Sequence, residues 1–224
     1  MECLKTVLRL SLSVVTIPVL VSMAFLRQEG ITRRILQFYT RFLPLKEMKW
    51  QSCNRQNELT FLERYFIFGM TNGPAFVLHR FNYSDPDRGY HNHPWSFGAS
   101  VILAGQYTER IIFYQDVENQ LQTTVPDVPH LRKFTAGMIN WINGKDYHRV
   151  MLKEGQDSWT LFFYGKRVRR WGFLHPTSIA SSFLTFNFYS KSIEEKPWWK
   201  NPKGGISYSQ HNDKGVPTKI DSET

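Results

Sequence analysis

The feature that most constrains this chain is a train of short runs rich in aromatic and β-branched residues, from about Thr60 to Tyr164. The runs are Arg64–Phe68, Ala75–Phe81, Phe97–Leu103, Tyr107–Tyr114, Leu131–Phe134, Met138–Ile142, His148–Leu152 and Trp159–Tyr164. Turn residues separate them: Thr71-Asn72-Gly73-Pro74, Ser84-Asp85-Pro86-Asp87, Ala104-Gly105, Asn143-Gly144 and Glu154-Gly155. Strands this short and this regularly spaced predict an all-β sandwich or barrel. Aromatic residues make up 15% of the chain, which suits a bulky β interior. A length of 224 residues gives one domain a sizeable core and leaves room for tails.

Within this train lies His91-Asn92-His93-Pro94-Trp95. Side chains at i and i+2 of a strand leave the same face, so both imidazoles can reach one ion. His148 follows the two-residue turn signal Asn143-Gly144, and a hairpin there brings it back against Met138–Ile142. His91, His93 and His148 are therefore the candidate metal ligands. Three imidazoles with open positions suit iron(II), and also zinc, nickel, manganese or copper. His79, His130, His175 and His211 are read as surface or satisfied core residues. Candidate catalytic residues are Glu109, Tyr147 and Arg149. Glu109 is an inward acid or a fourth ligand, Tyr147 a phenol near the metal, and Arg149 a clamp for a substrate carboxylate or phosphate. The plain alternatives are solvent-facing charge and aromatic packing. Trp95, Trp141 and Trp171 are expected to wall the core or the pocket. No nucleophile elbow, phosphate-cradling glycine loop or dinucleotide fingerprint is present, so no organic cofactor is expected.

Residues 89 to 105 and 137 to 148 resemble the two motifs of the cupin superfamily. Gly105 stands where the first motif ends in glycine, and Gly137 to His148 has the spacing of the second. The glutamate ligand of that family, five residues after the second histidine, is Gly98 here. Loss of that carboxylate resembles the three-histidine cupins, whose thiol dioxygenase members use iron(II) and oxygen. Roughly residues 63 to 173 also look like small uncharacterised cupin-like proteins of bacteria and phages, through His91-Asn92-His93-Pro94-Trp95-Ser96-Phe97, Gly105-Gln106-Tyr107-Thr108-Glu109, His148-Arg149 and Arg169-Arg170-Trp171-Gly172-Phe173. The resemblance implies an all-β, cupin-type double-stranded β-helix, that is, a jelly-roll barrel. It implies a mononuclear metal-binding protein, foremost an iron(II) oxygenase acting on a small molecule or thiol. A non-catalytic cupin binding a sugar, lipid head group or partner protein is the alternative, and a metal-dependent lyase or isomerase the next.

Ahead of the strands, Leu10 to Leu26 is a mostly apolar run flanked by basic residues. It reads as a membrane anchor with the domain in the cytosol, as a cleaved signal peptide that would send it into the secretory pathway, or as a helix packed on the core. Ile31 to Leu43 has helical spacing with one apolar stripe, Pro44 ends it, and Lys46 to Glu58 reads as a linker. The organisation expected is thus 1–27 anchor or signal-like segment, 28–58 amphipathic helix and linker, 59–176 cupin domain, and 177–224 a partly disordered extension. The formal net charge of +9 comes from dispersed Lys and Arg with no nucleic-acid motif, so nucleic acid is not expected as a partner. A small-molecule substrate is expected, with homodimerisation left open. Cys3 and Cys53 are the only cysteines, too few for a disulfide framework or a cysteine zinc site.

Overall fold

The computed structural model describes residues 2–51, 58–69, 73–86, 89–114, 124–176 and 183–188. Two helices lead, α1 (Glu2–Phe25) and α2 (Glu29–Tyr39), followed by a 3-10 turn at Thr40–Phe42. The strands are β1 (Leu45–Gln51), β2 (Glu58–Gly69), β3 (Ala75–Phe81), β4 (Tyr90–His91), β5 (Phe97–Ala104), β6 (Gln106–Ile112) and β7 (Thr124–Pro126). They continue with β8 (His130–Thr135), β9 (Ile139–Asn143), β10 (Tyr147–Met151), β11 (Ser158–Tyr164), β12 (Gly172–Pro176) and β13 (Phe183–Phe188).

Six strands form one sheet in the order β1-β2-β3-β11-β5-β9, and seven form the other in the order β7-β13-β12-β4-β10-β6-β8. Neighbours pair antiparallel throughout. From β3 to β6, and again from β9 to β12, successive strands alternate between the two sheets. That alternation is the winding of a jelly roll. At one corner β5 passes directly into β6 through Gly105, whose φ is +77°. A Cβ there would lie 2.3 Å from the Asp157 carbonyl oxygen, so only glycine makes this turn.

Strand β11 shows how the layers divide. Thr160 and Phe162 point between the sheets, and Trp159 and Leu161 point outward. Leu20 and Ala24 of α1, Leu36 and Tyr39 of α2, and Leu43 cover that outward face, packing with Leu78, Leu103, Trp159 and Leu161. The hydroxyls of Ser13 and Tyr39 join the two helices at 2.5 Å. One face of the amino-terminal apolar run thus packs on the sheet through Leu20 and Ala24, and this corrects the membrane expectation. Among the described residues no helix is long and apolar enough to cross a membrane. The run lies inside a helix that also carries Arg9, Ser11, Ser13, Thr16 and Pro18. In α2 the apolar stripe is narrower than the sequence predicts: Leu36 and Tyr39 are buried, while Ile31 and Phe38 are exposed.

The stretch expected as a linker after Pro44 instead supplies β1, which pairs with β2 from Leu45↔Tyr65 to Gln51↔Glu58. Beyond the expected end of the domain, β13 adds to the second sheet against β12. Residues 177–182 and 189–224 lie outside the described residues, so the expectation for the rest of the tail falls there too.

One ionic cluster ties the helices to the barrel. The Asp157 carboxylate, just before β11, accepts from Nη1 of Arg33 on α2 and, at 3.1 Å, from Nε of Arg80 on β3. Burial raises the Asp157 pKa, but the two guanidiniums outweigh it and the net shift is downward. Its contribution to stability is therefore full above the ordinary carboxylate pKa and is lost as pH falls through the lowered value. Asp157→Asn should cost about 1–2 kcal/mol at neutral pH, allowing for partial screening by water. In denaturant titrations the gap between variant and parent should close as pH falls below the carboxylate range.

Candidate metal centre

Three elements bring the histidines together. Strand β4 has two residues and is paired on both sides: His91 lies opposite His148 of β10 and opposite Phe173 of β12. His93 lies just past the strand. Its backbone N–H donates to the Gly144 carbonyl at 2.9 Å, so the Asn143-Gly144 turn holds both His93 and the start of β10. Between them Asn92 points the other way, and its Oδ1 accepts the Gly172 N–H at 2.8 Å. The i, i+2 spacing therefore works as the sequence predicts, with the second histidine in an extended segment rather than in a ladder.

The three imidazoles form a compact group, with ring centroids 4.6 to 4.9 Å apart. One ring nitrogen from each lies within 4.8 Å of the others. Nε2 of His93 and Nε2 of His148 are 2.7 Å apart, a hydrogen-bond distance at which one ring donates to the other. His93 is stacked on Trp95, with centroids 3.9 Å apart and planes 13° from parallel, which fixes its rotamer. Burial, then the neighbouring charges of His148, His91 and Arg64, hold the His93 pKa well below the usual imidazole value. A neutral ring is the form that ligates a metal.

Behind His148 stands Glu109. Its side chain has no exposed surface. Nδ1 of His148 donates to Oε1, and Arg132 donates to Oε2 from Nε at 3.0 Å and Nη2 at 2.5 Å. Asn140 Nδ2 adds a third donor at 3.3 Å and also reaches the Tyr107 hydroxyl at 3.1 Å. Burial disfavours the Glu109 carboxylate, but His148 and Arg132 outweigh it and its pKa is lowered. Burial likewise disfavours charge on His148, but Glu109 and Asp85 outweigh it and its pKa is raised. An ionised carboxylate only accepts, so Nδ1 of His148 carries the proton and Nε2 faces the other histidines. That tautomer, held by a carboxylate, is the arrangement found behind metal-bound histidines. The donor set therefore fits a metal ion: one ring nitrogen from each histidine converges, and the Nδ1 proton of His148 is held by Glu109.

Of the candidate catalytic residues, Glu109 alone reaches this group, and it does so as a partner of His148. Tyr147 and Arg149 flank His148 on β10, and strand alternation turns them to the other face. Tyr147 packs with Tyr90, Ile112 and Leu174, and Arg149 donates to the Asp85 carbonyl at 3.2 Å. Neither lines the cavity at the histidines. Trp95 walls the site as expected, whereas Trp141 is 69% exposed on the outer face of its sheet. Arg132 and Asn140 escaped the sequence reading, because each lies in a run read for its apolar residues.

At Gly98, where the family carboxylate would stand, a Cβ would lie 3.0 Å from Phe162 and 3.1 Å from Trp95. Aromatic rings occupy the space that a fourth ligand would need. The cavity beside the histidines has a volume of about 60 Å³. That exceeds the roughly 10–15 Å³ a single water needs and leaves room for a ligand of a few heavy atoms.

The sheet winding is that of a jelly roll with a tight glycine corner at Gly105, and three histidines converge between its sheets. No protein-family model matches the chain, and no curated protein matches it. Similar solved structures include the DMSP lyase DddQ from Ruegeria pomeroyi DSS-3, with a TM-score of 0.42, 12% identity, and coverage of 61% of this chain and 63% of that one. The FeII HppE complex with substrate has a TM-score of 0.38, 12% identity, and coverage of 55% and 56%. A cupin 2 conserved barrel domain protein from Rhodopseudomonas palustris has a TM-score of 0.38, 13% identity, and coverage of 60% and 78%. The chain thus spans less than two thirds of the first two. With TM-scores below 0.5, these likenesses do not bear on the reaction.

Two outcomes follow for the site. Glu109→Gln should weaken metal binding about 10–100-fold in a competition titration with a coloured chelator. Gly98→Glu should not add a ligand. It should instead destabilise the fold by about 1–3 kcal/mol through overpacking, read as a lower midpoint in denaturant.

Proposed function

We propose that this protein is a mononuclear metalloenzyme in which His91, His93 and His148 hold iron(II) for oxygen chemistry on a small molecule or thiol. The observation that carries the reading is the convergence of three imidazole nitrogens, one with its tautomer set by Glu109, with aromatic rings closing the place of a carboxylate at Gly98. A bound iron(II) would supply open coordination positions for oxygen and for a substrate heteroatom. The chain's own part is positioning and shielding. Trp95 fixes the ring of His93, and Glu109 keeps the Nδ1 proton on His148. Phe162, Phe81, Ile142 and Val150 give the cavity apolar walls that limit water. Tyr107 keeps its proton, since burial and then the Glu109 charge push its pKa up. Its phenol is therefore a neutral hydrogen-bonding group at the cavity wall.

The test is anaerobic purification followed by metal analysis of the parent and of His93→Ala. Near-stoichiometric metal is expected in the parent and little in the variant. Full occupancy in the variant, or no metal affinity in the parent, overturns the reading. Oxygen uptake with a panel of thiols and small metabolites then separates an oxygenase from a lyase, an isomerase or a binding protein.

A further inference from the structure

Across the inner face of the six-stranded sheet runs a second polar feature. Arg64 of β2 lies opposite His79 of β3, and His79 lies opposite Thr160 of β11. Cross-strand partners share a face, so the three form one row. Each carries a buried polar atom without a hydrogen-bond partner: Nε of Arg64, Nε2 of His79 and Oγ1 of Thr160. Elsewhere in the cavity the polar groups are matched. Glu109 is taken by His148 and Arg132, and Asp85 accepts the Val150 N–H at 2.9 Å while lying 3.9 Å from Nδ1 of His91. Among the described residues no carboxylate forms an ion pair with Arg64.

Arg64 is half-buried with its Nε enclosed, and the nearby Asp85 carboxylate favours its charge without forming an ion pair, so the guanidinium is only partly compensated and a neutral side chain of similar volume would pack there at less expense. Burial lowers the Arg64 pKa, and its charge helps to lower those of His79 and His93. Arg64 and His79 line the same cavity as the three histidines. Groups left unsatisfied inside a cavity are satisfied by what enters it. The sign of the guanidinium selects an anion, and its planar fork suits a carboxylate. His79, held neutral, offers an imidazole nitrogen beside it without adding charge. Leu62 and Phe81 border the same space, and the small volume leaves room for only a short aliphatic stem.

We propose that Arg64, with His79 beside it, receives the carboxylate of a small monoanionic substrate whose other end reaches His91, His93 and His148. The second half of this statement rests on the metal reading above, and the carboxylate receptor does not.

Propionate, propionamide and propylamine are suitable probes, each titrated calorimetrically into metal-free and metal-loaded full-length protein. Propionate should bind both forms, and the amide and amine should not. Arg64→Met should weaken propionate binding about tenfold or more in the metal-free form, while its metal content stays at the parent level. Without ligand, Arg64→Met should melt at or above the parent temperature, because an unpaired charge has been removed. Arg64→Lys, which keeps the charge and loses the fork, should fall between parent and Arg64→Met in propionate affinity. Propionamide binding as well as propionate, or propionate binding unchanged in both variants, overturns the receptor. So does binding that appears only with metal and ignores Arg64, since the carboxylate would then be ligating the metal. If propionate binds through Arg64 but no metal is held, the receptor stands and the metal reading falls. If metal is held and propionate ignores Arg64, the reverse is true.

Discussion

A carboxylate with no exposed surface in the middle of a barrel dictates what surrounds it. Moving such an ion out of water costs several kcal/mol even after relaxation, and removing one partner of a buried pair costs about 3–5 kcal/mol. Glu109 is compensated from two neighbouring strands. Arg132 of β8 lies directly opposite it, and His148 of β10 lies one diagonal step from it. A slip of one residue in either pairing would turn a partner to the outer face and leave the charge alone. The network therefore fixes the register of β8, β6 and β10. Because His148 also lies opposite His91, the same register sets the spacing of the candidate ligands. Fold specificity and site geometry here have one physical cause.

The barrel strands were legible because each packs on at least one face and is bounded by turn residues. Ala75–Phe81 is a strand over the range its composition predicts. Strand β1 was not legible, since Lys46, Glu47 and Lys49 give it the charged look of a loop. That is also how an edge strand protects its unpaired side. The amino-terminal helix was legible as a helix and misread as an anchor. Hydrophobicity alone does not separate a span from a helix that lays Leu20 and Ala24 on a sheet.

For the site, the histidine triad was legible from spacing and from a turn, both local features. The polar network behind it depends on parity. In β9 the apolar residues Ile139 and Trp141 alternate with Asn140 and Ile142, so pattern alone does not say which pair faces inward. The structure buries Asn140 and Ile142. Parity also explains Tyr147 and Arg149. Once His148 faces the cavity, its two neighbours on the strand face away.

The position of the negative charge matters to the chemistry. At Gly98 a carboxylate would bind an ion directly and cancel part of its charge. Phe162 and Trp95 close that place, and the carboxylate of the site stands instead at Glu109, one imidazole further out. Three imidazole ligands would leave a bound divalent ion its full charge toward the cavity. Arg64 adds a second positive charge to the same space, and its position opposite His79 puts it on a different strand pair from the ligands. The compensating charge of Glu109 lies behind His148 and is shared with Arg132. The Asp85 carboxylate also lines the cavity and is held by the Val150 N–H, so the Arg64 guanidinium is only partly offset there, within apolar and aromatic walls that strengthen every charge inside. If the histidines hold a divalent ion, a small anion long enough to meet both it and Arg64 is the guest that such a space would favour.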